Sequence, residues 1–178
     1  IGGLGNPGNT GDGLRMAQAM GARIWHMTSY SCPLGCDLPG CKARFFFGIN
    51  APSYIYVDGD GKRFVDEKTV DTHTMLYATN KFDPIRHLYP AIPAYVIFDE
   101  DARLAGPMGF LNSGYASVVE GYTWSKDSSQ EIKNGVVIKG DSIEELAKKI
   151  EVPVDALKAT VERWNKDVSS GKDTEFNR

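Results

Sequence analysis

The pattern of apolar and polar positions is clearest in the last third of the chain. Ser142 followed three residues later by Glu145 forms a capping box, and Ile143, Leu146 and Ile150 then fall on one helical face. Pro153 suits the first turn of a second helix, where its missing N–H costs nothing. In that helix Leu157, Val161, Trp164 and Val168 recur at offsets 0, 4, 7 and 11 as one apolar stripe, and Gly171 marks its end. Upstream, Leu14, Met16, Ala17, Ala19 and Met20 predict a short apolar helix over 12–21, stopped at Gly21.

Residues 23–27 read as a strand, and 29–43, with Pro33, Gly35, Pro39 and Gly40, as an irregular loop. Residues 54–57, the turn Asp58-Gly59-Asp60-Gly61, and residues 62–65 read as strand, turn, strand, because Asp-Gly pairs supply the positive φ a hairpin needs. A helix is expected over 72–80 and an apolar strand over 94–98. Residues 106–130, rich in Gly, Ser and aromatics, read as a long surface excursion. The sum is an α+β fold, a small mixed or antiparallel sheet with flanking helices.

Composition narrows the function classes. The chain has 178 residues, 42% hydrophobic and 24% charged, which is ordinary for one core. A net charge of -3 without a Lys/Arg block argues against nucleic acid as a partner. No apolar run approaches the roughly 18–20 residues of a membrane span. The opening at Ile1, without Met, leads us to expect a missing N-terminus, and with it an unreadable localisation.

Two motifs invite over-reading. Gly3-Leu4-Gly5-Asn6-Pro7-Gly8 spells G-x-G-x-x-G, but a dinucleotide fingerprint needs a strand before it and a helix opening within it. Here neither is expected, and Pro7 removes a donor, so the segment reads as a loop. Cys32, Cys36 and Cys41 are odd in number and wrongly spaced for a disulfide framework or a zinc knuckle. A metal site would need a fourth ligand such as His26; free thiols in a loop are the expectation.

Three segments, in order, resemble the flavoprotein family of fumarate reductases and 3-ketosteroid dehydrogenases. Residues 9–22 resemble its T-G-D-G-x-x-M-A-x-x-x-G-A segment. Residues 54–67, ending Gly61-Lys62-Arg63-Phe64-Val65-Asp66-Glu67, resemble its G-K-R-F-x-[ND]-E. Residues 142–178 resemble its closing pattern, with Leu157, Thr160, Val161, Asn165, Gly171, Asp173 and Phe176 in register. The resemblance implies a flavoprotein capping domain over residues 11–178, with 1–10 a linker from an FAD-binding domain of the same polypeptide. FAD would be held mainly by that domain, and none is expected on this chain alone.

The resemblance also implies site residues. Asp12, between Gly11 and Gly13, would contact FAD; from the residues alone it is a helix N-cap, and both roles can hold. From the residues alone, Arg63 and Glu67 are expected to form an ion pair that fixes the hairpin against the next helix. Four residues beyond Glu67 the family places its acid/base residue, an arginine or a tyrosine. Asp71 stands there, with His73 as the substitute candidate. An aspartate could serve only if burial raised its pKa, and otherwise it caps the next helix. Pro33 occupies the position of the family's substrate-carboxylate histidine, so fumarate is not the expected substrate. Phe45, Phe46, Phe47, Tyr54 and Tyr56 suggest either core or an apolar pocket for an unsaturated or ketone substrate. The alternative is a stand-alone α+β module without redox chemistry.

Overall fold

A computed structural model describes residues 8, 10–25, 27, 34–40, 44–71, 73–108 and 122–178, with the side chains of residues 44–46 excepted. In chain order the elements are α1 (Asp12–Ala19), β1 (Gly35–Asp37), β2 (Arg44–Phe46), β3 (Tyr54–Val57), α2 (Met75–Thr79), β4 (Tyr95–Phe98), α3 (Glu100–Leu104), α4 (Ser129–Lys133), α5 (Ile143–Lys149) and α6 (Val154–Ser170). Among the described residues the strands form two antiparallel pairs, β1 with β2 and β3 with β4. The class is α+β, as the sequence predicts.

The main core lies where the β3–β4 pair meets the α5–α6 hairpin. Ile55 and Val57 project from β3 onto Ala147, Ile150, Val152 and Leu157. The capping box forms as expected on the serine side, where the Glu145 N–H donates to Ser142 Oγ at 3.1 Å. The Glu145 carboxylate, however, takes the N–H of Asp141 at 2.9 Å rather than that of the cap. Pro153 is the N-cap of α6, one position ahead of the first turn. The α6 stripe is inward through Leu157, Val161 and Trp164, but Val168 is exposed. There the helix has run past the core, and the buried Asp167 takes the inward position by accepting the Thr174 N–H at 2.9 Å.

Gly61 fixes how α6 meets the β3 turn. Its φ of 73° is left-handed, and a Cβ there would stand 3.0 Å from the Leu157 nitrogen. Its carbonyl accepts the Thr160 hydroxyl at 2.7 Å. Gly61→Ala combines a left-handed alanine with backbone crowding, and we expect it to lower unfolding free energy by about 1–3 kcal/mol in urea titration.

Several local expectations give way to tertiary structure. Residues 62–65 form no strand; a lone bridge joins Val57 to Arg63, and β3 pairs with β4 instead, Tyr54 opposite Phe98. The Asp58 carboxylate explains this, since it accepts the N–H groups of both Asp60 and Lys62 at 3.0 Å and so curls the chain. Residues 23–25 and 27 are not strand, and Ile24, Trp25 and Met27 are exposed. The expected loop at 29–43 contains β1, and Cys36 lies in that strand, half-buried, not in a loop. The helix expected over 72–80 is confined to α2. In the expected surface excursion, Met108 and Trp124 are buried in a second core with Leu38 and Val137. Glu131 is fully buried, accepting the Tyr122 hydroxyl at 2.8 Å and the Ser125 hydroxyl. Residues 109–121 of that stretch, the glycine motif through Pro7, and His26, Cys32, Pro33 and Cys41 lie outside the described residues. No described helix is long and apolar enough to cross a membrane.

Candidate functional site

The first candidate group is the turn that opens α1. Gly11, with φ 81°, is the N-cap, so Asp12 is the first helical residue rather than the cap expected from sequence. Glycine wins the capping position because the chain enters the helix through left-handed space, which Asp adopts less readily. The Asp12 carboxylate accepts the Thr10 hydroxyl and the Arg15 guanidinium, and these two hold its pKa below the usual carboxylate value. Added Cβ atoms at Gly11 and Gly13 would meet nothing within 4 Å. This open, acceptor-bearing turn fits a hydroxyl- or amide-rich part of a cofactor. The carboxylate would repel a pyrophosphate, so no phosphate cradle is made here.

The helix that Asp12 opens is unusual for a folded chain. No residue of α1 is buried, although the segment carries Leu14, Met16 and Met20. Met20 is 88% exposed and Trp25 79%, and Met16 and Met27 are also exposed. The segment is amphipathic, and its apolar residues face water.

The second group is the turn before α2. Asp71 Oδ1 accepts the N–H groups of His73 and Thr74, each at 2.8 Å, and the Thr74 hydroxyl at 3.0 Å. Its carbonyl accepts the Met75 N–H at 2.9 Å. The backbone donor of Thr74 is the foremost of the influences that lower its pKa. That direction is opposite to the one a proton-donating aspartate requires. His73 is 78% exposed at its side chain, with Nδ1 3.9 Å from Asp71 Oδ1. Thr10 and Arg15 hold the first turn, and Thr74 holds the second.

Arg63 and Glu67 pair as the sequence leads one to expect, and the pair is wholly buried, 1% and 0% exposed at their side chains. Arg63 donates to Glu67 at 2.7 and 3.0 Å, and also to Asp173 at 2.9 and 3.1 Å. Its guanidinium lies 4.7 Å from the Trp164 ring centroid and 5.0 Å from that of Phe176. Arg178 adds a second layer, donating to Tyr54 O at 2.9 Å and Pro52 O at 2.8 Å. The joint therefore ties β3 to the segment after α6, not to the next helix. Sequence reading finds the Arg–Glu pair but misses Asp173 and Arg178, whose signal is only their place in the closing pattern.

The aromatic residues divide accordingly. Tyr54 sits under Arg178, 5.2 Å from ring centroid to guanidinium carbon, and Tyr56 is part-buried beside it with its hydroxyl pushed up to about 12, chiefly by burial. Phe47 packs on the second core. The side chains of Phe45 and Phe46 lie outside the described residues. Among the described residues no group of three or more His, Cys, Asp or Glu could hold a metal ion.

Comparison with known proteins agrees with the flavoprotein resemblance. The model of the FAD binding domain family matches residues 4–178. A 3-oxosteroid 1-dehydrogenase of Mycolicibacterium smegmatis is 29% identical over 98% of this chain and 29% of its own length. A fumarate reductase (cytochrome) of Shewanella frigidimarina is 30% identical over 97% of this chain and 25% of its own. Among solved structures, 3-ketosteroid delta1-dehydrogenase from Sterolibacterium denitrificans, in complex with 1,4-androstadiene-3,17-dione, superposes with a TM-score of 0.66 at 30% identity. That match covers 97% of this chain and 29% of the other. The open conformation of a flavocytochrome c3 fumarate reductase shares the fold, with a TM-score of 0.57. The chain thus spans between a quarter and three tenths of these relatives. It belongs to the FAD binding domain family of flavoprotein oxidoreductases.

Proposed function

We propose that this chain is the substrate-covering part of an FAD-dependent oxidoreductase acting at an activated carbon–carbon bond, docked on a flavin-bearing domain of the same polypeptide. The observation that carries the reading is the exposed apolar strip from α1 to Met27. Large water-facing apolar patches mark interaction faces, and burying Met20 and Trp25 is worth about 1.5–3 kcal/mol each before ordering costs. Gly11, Asp12 and Gly13 head that strip, so a face docked there brings the Asp12 carboxylate to the cofactor as a hydrogen-bond acceptor. The relatives' names support the redox class, two of them for steroid dehydrogenation and one for fumarate reduction.

When bound, the flavin supplies hydride exchange; this chain's residues supply binding and proton handling. His73 is the proton-carrying group. Asp71, anionic at neutral pH and spent on three hydrogen bonds, positions it by holding the turn. Neither Pro33 nor Asp71 offers the cation that a dicarboxylate needs where the family places one. An uncharged unsaturated or ketone substrate is the one this arrangement suits.

The test uses the full-length enzyme. Met20→Glu with Trp25→Glu is expected to cut turnover at least about tenfold, because two buried anchors are lost from the docked face. In this chain alone Met20→Glu should shift unfolding free energy by less than about 0.5 kcal/mol, as surface changes do. Unchanged turnover in the double variant sinks the docking face and the covering role with it.

A further inference from the structure

The two cores do not close on each other. A cleft of about 530 Å³ lies between them, lined from the first by Ile97, Leu146 and Ile150 and from the second by Phe47, Trp124 and Val137. Folded interiors carry few voids larger than a water, whereas clefts of about 300–1,000 Å³ with mostly apolar walls are typical of small-molecule sites. Every residue of β4, which borders the cleft, is only half-buried. Neither Asp12, Asp71 nor His73 lines it.

The charged side chains at its walls are already engaged. Asp99 accepts the Ala102 N–H at 2.8 Å and the Ser53 hydroxyl at 3.0 Å. Arg103 donates to Glu100 at 2.8 Å and to the Asp127 carbonyl. Lys139 Nζ stands 3.3 Å from Asp141. Cys36, also in the wall, has its thiol pushed up to about 11 by burial and is neutral at physiological pH. A charged ligand would find no free counter-charge among these groups and would lose its hydration. A polypeptide segment brings a peptide group at each residue that demands a partner, and with the polar side chains spent only the outer edge of β4 offers any. A neutral apolar molecule makes neither demand.

We propose that the cleft between the two cores is a binding site for a neutral, apolar small molecule, separate from the Asp71–His73 turn. The proposal does not depend on the redox reading. The probe is N-phenyl-1-naphthylamine, added to the full chain and followed by its own fluorescence and by quenching of tryptophan emission. One probe per chain is expected to bind saturably. 1-Anilinonaphthalene-8-sulfonate, with the same rings and an added charge, is expected to bind at least about tenfold more weakly. Val137→Trp, which fills the cleft, should weaken the neutral probe at least about tenfold. Should that variant not fold, alkylation of Cys36 by N-ethylmaleimide in a Cys32→Ser, Cys41→Ser chain gives an independent reading. Saturating probe should slow it in proportion to occupancy. Non-saturable binding, equal affinity for the sulfonate, or alkylation blind to the probe would each overturn the site. So would a dimer on size exclusion that the probe leaves intact, since a second copy would then fill the cleft.

Discussion

Arg63→Met is expected to lower the unfolding free energy by about 3–5 kcal/mol, the usual cost of removing one partner from a buried ion pair. The magnitude reflects the groups left behind. Glu67 and Asp173 are 0% and 3% exposed at their side chains, and without the guanidinium both are buried carboxylates that have lost their main partner. Arg63→Lys should recover only part of the loss. An ammonium cannot reach two carboxylates in paired, planar fashion while stacking between Trp164 and Phe176. Urea titration measures both, and a loss under about 1 kcal/mol for the methionine variant would show that the joint contributes little. The same network sets an acid limit. Arg63 holds the Asp173 carboxyl well below its ordinary pKa. A depressed folded-state pKa contributes stability that is full above the unfolded value of about 4 and is lost as pH falls from there toward the folded value. In the Arg63→Met chain that part of the acid dependence should flatten.

His73→Ala, in the full-length enzyme with its flavin bound, is expected to lower turnover by about 10²–10⁴-fold, the range general acid–base groups contribute. Flavin content should not change. Asp71→Ala removes the acceptor for two backbone N–H groups and the Thr74 hydroxyl. It should cost about 1 kcal/mol of stability, as lost caps do, with a smaller fall in turnover because the histidine is loosened but present. Steady-state rates on both variants decide the assignment. If Asp71→Ala is the more damaging and His73→Ala is near wild type, the aspartate is the proton carrier and the roles proposed for the two are reversed.

The contrast between these two sites shows what the sequence makes legible. The α5–α6 hairpin can be read because its signals are local: a cap, a stop, a stripe with helical spacing. The Arg63–Glu67 pair is legible because opposite charges stand together in one short segment, 61–67, although Arg63 is not helical and the four-residue spacing alone implies no pair. Its other half is not, because Asp173 lies 110 positions on and no local pattern points to it. The strand pairing fails at the same boundary. Asp58-Gly59-Asp60-Gly61 does make a tight turn, yet the Asp58 carboxylate and the buried acids around Arg63 pull the returning chain out of register, and β4 takes its place. For α1 the helix is legible but its exposure is not. Apolar spacing tells which face is meant to be covered, never whether the cover is present. Asp12 is found as a residue of interest, one position away from the cap it resembles.

The long reach from Arg63 to Asp173 bears on how the chain is made. A ribosome delivers Arg63 about 110 residues ahead of its second carboxylate, roughly 5–20 s at ordinary elongation rates. Throughout that interval the arginine has Glu67 and water. The joint between sheet and helices is thus a late event of biogenesis, and a nascent polypeptide cut off after Gly171 would emerge with its central cation half-matched and the Tyr54 and Pro52 carbonyls without the Arg178 guanidinium.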